Sequence, residues 1–365
     1  MKASKAVDEI GVVVHGPEVI DHGYAPITFN LLKKWGSVTA VMGGTMGRVA
    51  IIDAHLEDDI DITRREMPSQ SVRRLQRSSD AVLLLNLAKS RETGFAFGQM
   101  VAANVKSSVP LIQVDFGGGF VAELIGEHKE LVQDLSRKLH LKSIFPASIP
   151  TNPQVEHRDD LVIRKLVGAR EGELISVNGT VIARALKEVV EIQAQNCRIV
   201  KIEGAEFKMH GLEKLPCINL ETAIVRSGDI RRTENVPRSL NRRGRYLVII
   251  DHAAEETFEI AKGAGVAMTI GDDTTAIAGD VLCRLGIPQI GIVDGDRDWL
   301  SHNTTTPPNS TIIRVKPGYD DVVGQRVKAE IFENESRILM DGYSLKSLSE
   351  KVKEISGNEL ISEIR

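Results

Sequence analysis

At 365 residues the chain exceeds what one hydrophobic core usually supports, which points to two domains, and its 42% hydrophobic and 26% charged residues are those of an ordinary globular protein. An aromatic content of 4% leaves few ring faces for stacking exposed bases, which argues against a single-strand nucleic-acid binder. A formal net charge of −4, with acids and bases interspersed, excludes a general attraction to nucleic acid or anionic membrane.

The start, MKASKAVDEI, lacks the apolar core of a signal sequence, and no run approaches the ~18 apolar residues of a membrane span. A cytoplasmic protein with no membrane partner is therefore expected. A first strand at Gly11 to Val14 runs into His15-Gly16-Pro17-Glu18. Helix Ile27 to Trp35, strand Val38 to Met42 and the loop Gly43-Gly44-Thr45-Met46-Gly47-Arg48 follow. A helix at Ser69 to Arg77, with Ser69 as its N-cap, leads to strand Ala81 to Leu85 and a loop through Lys89. A helix through Val105, strand Leu111 to Val114 and the loop Asp115-Phe116-Gly117-Gly118-Gly119 complete the set. This alternation predicts an α/β fold, with a doubly wound, Rossmann-like parallel sheet over residues 1–145.

A helix from Ala122 to Leu141 is expected next, and Pro146, Pro150 and Pro153 mark a boundary. Residues 146–240 read as a linker and β-rich region, with a hairpin of Leu174 to Val177 and Val181 to Ala185 about Asn178-Gly179 and a strand at Ile199 to Ile202. Six arginines between Arg231 and Arg245 form a basic stretch, read as a solvated loop or an anion contact. Residues 241–365 read as a second Rossmann-like lobe. Strand Tyr246 to Ile250 ends at Asp251-His252, strand Val266 to Ile270 at GDDTT, and strand Gln289 to Val293 at DGDRD. Thr311 to Val315 is the last strand, and the tail after Val322 reads as helical. Cys197, Cys217 and Cys283 are odd in number, far apart and in no CxxC spacing, so no disulfide framework or zinc site is expected; Cys283 belongs in the core.

In open parallel sheets, ligands bind outside the carboxyl ends of the strands, and the reactive-looking loops all fall there. Gly43, Gly44 and Gly47 allow close backbone approach, and with Thr45, Arg48 and Lys89 they read as receptors for a phosphate, or as a structural turn. Thr274 or Thr275 caps a helix or meets the ligand, while Asp272 and Asp273 face a cation or solvent. Asp294, Asp296 and Asp298 alternate in an extended loop, as hard oxygen ligands for Mg2+ or as a turn held by Asp side chains. His15, His252 and Asp296 are the candidates for proton transfer.

The stretches VVVHGPEVIDHGYA, AVMGGTMGRVAIIDA, TIGDDTTAIAGDVLCRLGIPQIGIVDGDRD and DDVVGQRVKAEIF together resemble an uncharacterised archaeal protein family, known mainly from methanogens as a domain of unknown function. The resemblance spans both lobes, implies an archaeal cytoplasmic protein and assigns no activity. GDDTTAIAGDVLCRLGI is also similar to a loop of phosphatases and P-type ATPases, without their DKTGT or DxDxT nucleophile segment. DGDRD resembles the acidic pair of Toprim nucleases, with Glu203 as acidic partner. The leading expectation is a Mg2+-assisted enzyme acting on a phosphorylated or nucleotide-like small molecule. The alternatives are a non-catalytic nucleotide or metabolite sensor and a Toprim-like nucleic-acid enzyme; a homo-oligomer is left open.

Overall fold

The computed structural model describes residues 7–145, 155–178, 180–213, 215, 217–223, 225–228, 237–241, 244–295 and 305–364. The chain divides into two units, residues 1–229 and 230–365. The expected proline boundary lies outside the described residues.

The N-terminal unit opens with a seven-stranded sheet of β1 (Glu9–Val14), β2 (Ser37–Val41), β3 (Ile60–Asp61), β4 (Ala81–Asn86), β5 (Leu111–Asp115), β6 (Phe120–Ile125) and β7 (Lys142–Ile144), in the order β3-β2-β1-β4-β5-β6-β7. From β3 to β5 all neighbours are parallel, and the strand order reverses between β1 and β4. Helices α1 (Glu18–Asp21), α2 (Tyr24–Leu32), α3 (Thr45–Asp53), α4 (Pro68–Leu75), α5 (Arg91–Ala103) and α6 (Lys129–Leu139) connect the strands. Alternate residues of β1 enter different cores. Ile10, Val12 and Val14 pack with α2, α3 and α6, while Val13 packs with α4 and α5, so apolar residues are required on both faces. Gly94 and Gly98 let α5 lie close to β5: a Cβ on either would fall within 2.6 Å of the Asp115 or Gln113 side chain.

Two expectations need correction here. Phe120–Ile125 is a strand, antiparallel to β5 and parallel to β7, and the expected helix begins only at Lys129. A short apolar run suits either state, and pairing on both sides decides it. Helix α4 takes Met67 as N-cap in place of Ser69, because Pro68 carries a preset helical φ at the first helical position.

Residues 155–227 hold more than the expected hairpin. β8 (Val155–Arg158), β9 (Leu161–Val167), β10 (Leu174–Val177), β11 (Thr180–Ala185), β12 (Val189–Gln195), β13 (Arg198–Glu203), β14 (Ala205–Phe207) and, after α7 (Met209–Glu213), β15 (Val225–Ser227) form two antiparallel sheets, β14-β11-β10-β15 and β13-β12-β9-β8. Their own core includes Ile175, Val177, Ile182, Val190 and Ile192. Asn178 takes φ +51° at the expected turn, and Gly179 lies outside the described residues. Against expectation, Cys197 and Cys217 are joined as a disulfide, with Cα atoms 4.7 Å apart. The fold, not the sequence spacing, brings the β12–β13 turn to residue 217. Cys283 is half-buried.

The C-terminal unit is a six-stranded sheet of β16 (Tyr246–Asp251), β17 (Ala264–Ile270), β18 (Gln289–Val293), β19 (Thr311–Val315), β20 (Arg337–Leu339) and β21 (Leu360–Ile364), in the order β20-β16-β17-β18-β19-β21. The four central strands are parallel and the two edges antiparallel. The tail is therefore not wholly helical, and the four parallel strands of this sheet lie side by side in chain order. Helices α8 (Thr257–Ile260), α9 (Asp272–Leu285), α10 (Asp320–Glu330) and α11 (Leu345–Ser356) accompany it. Met268, Ile270, Ile290 and Ile292 pack with Val323, Val327, Leu348 and Val352 of α10 and α11. Thr269 and Gly291, of opposite parity along their strands, meet Thr275 of α9 on the other face. Among the described residues, no helix is long and apolar enough to cross a membrane.

Gly43 abuts the backbone of Glu66, where an added Cβ would stand 2.1 Å from the carbonyl oxygen, whereas Gly44 faces open space. Gly43→Ala is expected to lose about 1–3 kcal/mol in denaturant unfolding, and Gly44→Ala less than about 0.5 kcal/mol. Equal losses would contradict this account of the loop.

Candidate functional site

Three carboxylates meet at the carboxyl edge of the C-terminal sheet. Asp272 opens α9 just after β17, Asp294 follows β18, and Asp320 opens α10 after β19. One oxygen from each lies within 4.8 Å of the other two. Asp294 and Asp320 are buried and Asp272 is half-buried. Asp272 Oδ2 accepts from the Asp294 and Gly295 N–H groups at 3.2 and 3.3 Å, and Asp294 Oδ2 accepts from Gly318 N–H at 2.7 Å. Burial, and then the adjoining Asp294 carboxyl, push the Asp272 pKa from 3.8 up to about 7. Asp272 and Asp320 also sit where helix macrodipoles favour negative charge. That field does not offset the burial and repulsion, since the Asp272 pKa still rises.

Asp251, His252 and Asp321 form a second, more exposed group at the same edge. His252 Nδ1 lies 2.6 Å from Asp251 Oδ1 and Nε2 lies 3.5 Å from Asp321 Oδ1, so each ring nitrogen faces a carboxylate. His252 takes φ +50°. Gly271, at φ +93°, separates the two groups: a Cβ there would sit 3.4 Å from His252 Nε2 and 3.8 Å from Asp320 Oδ2.

Of the expected ligands, Asp272 and Asp294 converge, Asp273 is not in the trio, and Asp296 lies outside the described residues. Neither threonine caps α9, whose N-cap is Gly271. Thr274 and Thr275 are buried, and the Thr275 hydroxyl is 2.8 Å from that of Thr269, because the helix already starts at Asp272 and both threonines lie inside it. Asp320 escaped the sequence reading. Its signal was Asp320-Asp321 shortly after Pro317-Gly318 and a strand, the same pattern as GDDTT.

The N-terminal unit carries its own polar edge. Asp115, at the end of β5, accepts from Ala88 N–H, Gly118 N–H, Asn86 Nδ2 and Gln113 Nε2 at 3.1, 2.8, 2.7 and 3.2 Å. Burial raises its pKa, and these donors oppose the rise. Asn86, at the end of β4, lies 2.9 Å through Oδ1 from His15 Nδ1, just past β1. Burial pushes the His15 pKa from 6.5 down to about 4, so the ring is neutral at physiological pH. The glycine loop is mostly a packing device: Gly43 meets Glu66, and Gly47 meets the Met42 side chain. Thr45 is the first residue of α3. Arg48, expected to present its charge at the loop mouth, is 1% exposed within α3. Lys89, expected to receive an anion, is 2.5 Å from Glu173 Oε2 and donates to Ser227 Oγ at 3.1 Å. Glu203 ends an antiparallel strand of this unit and pairs with Lys201. Of the basic stretch, Arg231, Arg232, Arg242 and Arg243 lie outside the described residues.

Residues 12–335 match the model of a family described as an uncharacterized protein conserved in archaea (DUF2117). The chain belongs to this family. It is also 40% identical over 357 residues to an uncharacterized protein of Methanocaldococcus jannaschii, covering 95% of this chain and 96% of that one. The family match takes in both polar edges, including Asp272, Asp294 and Asp320.

An acid whose folded-state pKa is raised contributes stability that is full below its unfolded pKa and is lost as pH rises through the folded value. For Asp272 that window runs from about 3.8 to about 7. Asp272→Asn mimics the protonated acid, so without divalent cation it is expected to be more stable than the parent by about 1–2 kcal/mol at the top of this window and equal to it at the bottom. Denaturant unfolding across the pH series reads this directly; a variant less stable at every pH would contradict the assignment.

Proposed function

We propose that the C-terminal unit is a Mg2+-dependent enzyme domain acting on a phosphorylated, nucleotide-like small molecule. The observation that carries this reading is the convergence of the Asp272, Asp294 and Asp320 oxygens at the ends of three parallel strands. Hard oxygen donors suit Mg2+, and a pair of carboxyls crowded enough to hold a proton near neutral pH is relieved by a divalent cation in place of that proton. When bound, such a cation offsets negative charge developing on phosphate oxygens.

The residues of this chain supply the rest. The Asp294 and Gly295 N–H groups orient Asp272, and Gly318 N–H orients Asp294, so two of the three ligands are fixed by backbone. His252, held between Asp251 and Asp321 beside Gly271, is the group placed to move a proton at its Nε2. The β3-β2-β1-β4-β5 order, with its reversal at β1 and β4, further supports a Rossmann-like reading of the N-terminal sheet. The C-terminal sheet, with helices on both faces, supports a related α/β arrangement.

Asp294→Asn and Asp320→Asn are each expected to weaken Mg2+ binding by tenfold or more in isothermal titration and to abolish the rise in Tm with Mg2+, while keeping the far-UV circular dichroism of the parent. Parent protein that takes up no Mg2+ or Mn2+ would overturn the reading.

A further inference from the structure

The N-terminal unit holds a histidine that the acidic edge of the C-terminal unit does not use. Four N–H donors converge on Asp115, so both of its oxygens act as acceptors. Because the Asn86 amide nitrogen donates to Asp115, the Asn86 oxygen must face His15, and His15 Nδ1 must carry the proton. The lone pair is thereby placed on Nε2. No hydrogen bond reaches Nε2 from the described residues, and it is not sealed from solvent, unlike His128 Nε2. Phe97 of α5 stacks on the imidazole, with ring centroids 4.0 Å apart at 20°, which fixes the plane of the ring. Arg226 of β15, in the same unit, lies near enough for its charge to act on the ring. The position is the reversal between β1 and β4, where an open parallel sheet parts its connecting loops.

We propose that His15 Nε2 is the hydrogen-bond acceptor of a second ligand site, in the N-terminal unit, for an anionic small molecule bearing a hydroxyl group. The hydroxyl donates to Nε2, and the anionic group faces Arg226. A cationic ligand or a metal ion is disfavoured by the same arginine. Asp115 and Asn86 are positioning residues: they hold the tautomer that accepts, where a freely rotating or protonated ring would donate. This site is independent of the Mg2+ reading and survives its failure.

The test uses the full chain labelled with 15N-histidine, with the His15 resonances assigned by their loss in His15→Gln. At neutral pH, Nε2 is expected to resonate as an unprotonated nitrogen. It is expected to shift on adding glycerol 3-phosphate or ribose 5-phosphate if the anion is a phosphate ester, and on adding glycerate if it is a carboxylate. Sulfate, an anion without a hydroxyl, and glycerol, a hydroxyl without an anion, should leave it unmoved. Arg226→Gln, at an exposed position, should weaken the response about tenfold, and Asn86→Leu should remove it while circular dichroism stays that of the parent. A protonated Nε2 overturns the proposal, as do a response to sulfate equal to that of the esters, no response to any hydroxylated anion, or an unchanged response in Arg226→Gln.

Discussion

A carboxylate moved out of water keeps its charge only when N–H donors or cations replace the lost solvent, and this constraint organises both polar edges of the protein. Asp115 and Asp272 answer it differently. Four donors surround Asp115, two from the backbone and two from Asn86 and Gln113, and the residue becomes a fastening for the β4 and β5 loops. Among the described residues, Asp272 receives two backbone donors, both beyond 3.1 Å, and shares its space with another carboxyl. The Asp115 carboxylate is thus satisfied by the protein itself. The other retains a charge conflict that a ligand can resolve.

The two histidines at strand ends follow the same division. His15 is half-buried, stacked on Phe97 and bonded to a neutral amide, so it stays uncharged and presents one lone pair. His252 stands among carboxylates at an exposed strand end, and its partners are charged. A neutral acceptor and a carboxylate-flanked ring suit different chemistry, although both residues follow a β-strand in the sequence.

Much of the parallel-sheet framework was legible in the sequence. Gln289–Val293 and Thr311–Val315 were read with the bounds they have, because an apolar run closed by Gly, Pro or Asp leaves little freedom of register. The convergence of Asp272 and Asp294 was legible for the same reason, each being the polar residue at the end of such a run. Phe120–Ile125 was misread because six mostly apolar residues carry no period that separates a strand from a helix turn. Edge strands Arg337–Leu339 and Leu360–Ile364 were missed because each is short, polar on one side, and defined by its neighbour. Gly43 and Gly47 looked like phosphate-binding glycines, yet close contact with Glu66 and Met42 accounts for their missing side chains.

By itself the sequence determined the alternation of strands and helices, the double burial of β1 and the gathering of polar residues just past strand ends. These depend on the periodicity of neighbouring residues, which a chain carries locally. Only the tertiary structure decided that Asp320 joins Asp272 and Asp294, that Glu173 takes Lys89, that Cys197 meets Cys217, and that Asn86 links Asp115 to His15. Each is a distance between segments far apart in the chain. Sheet order and helix packing set such distances, and no local pattern of residues encodes them.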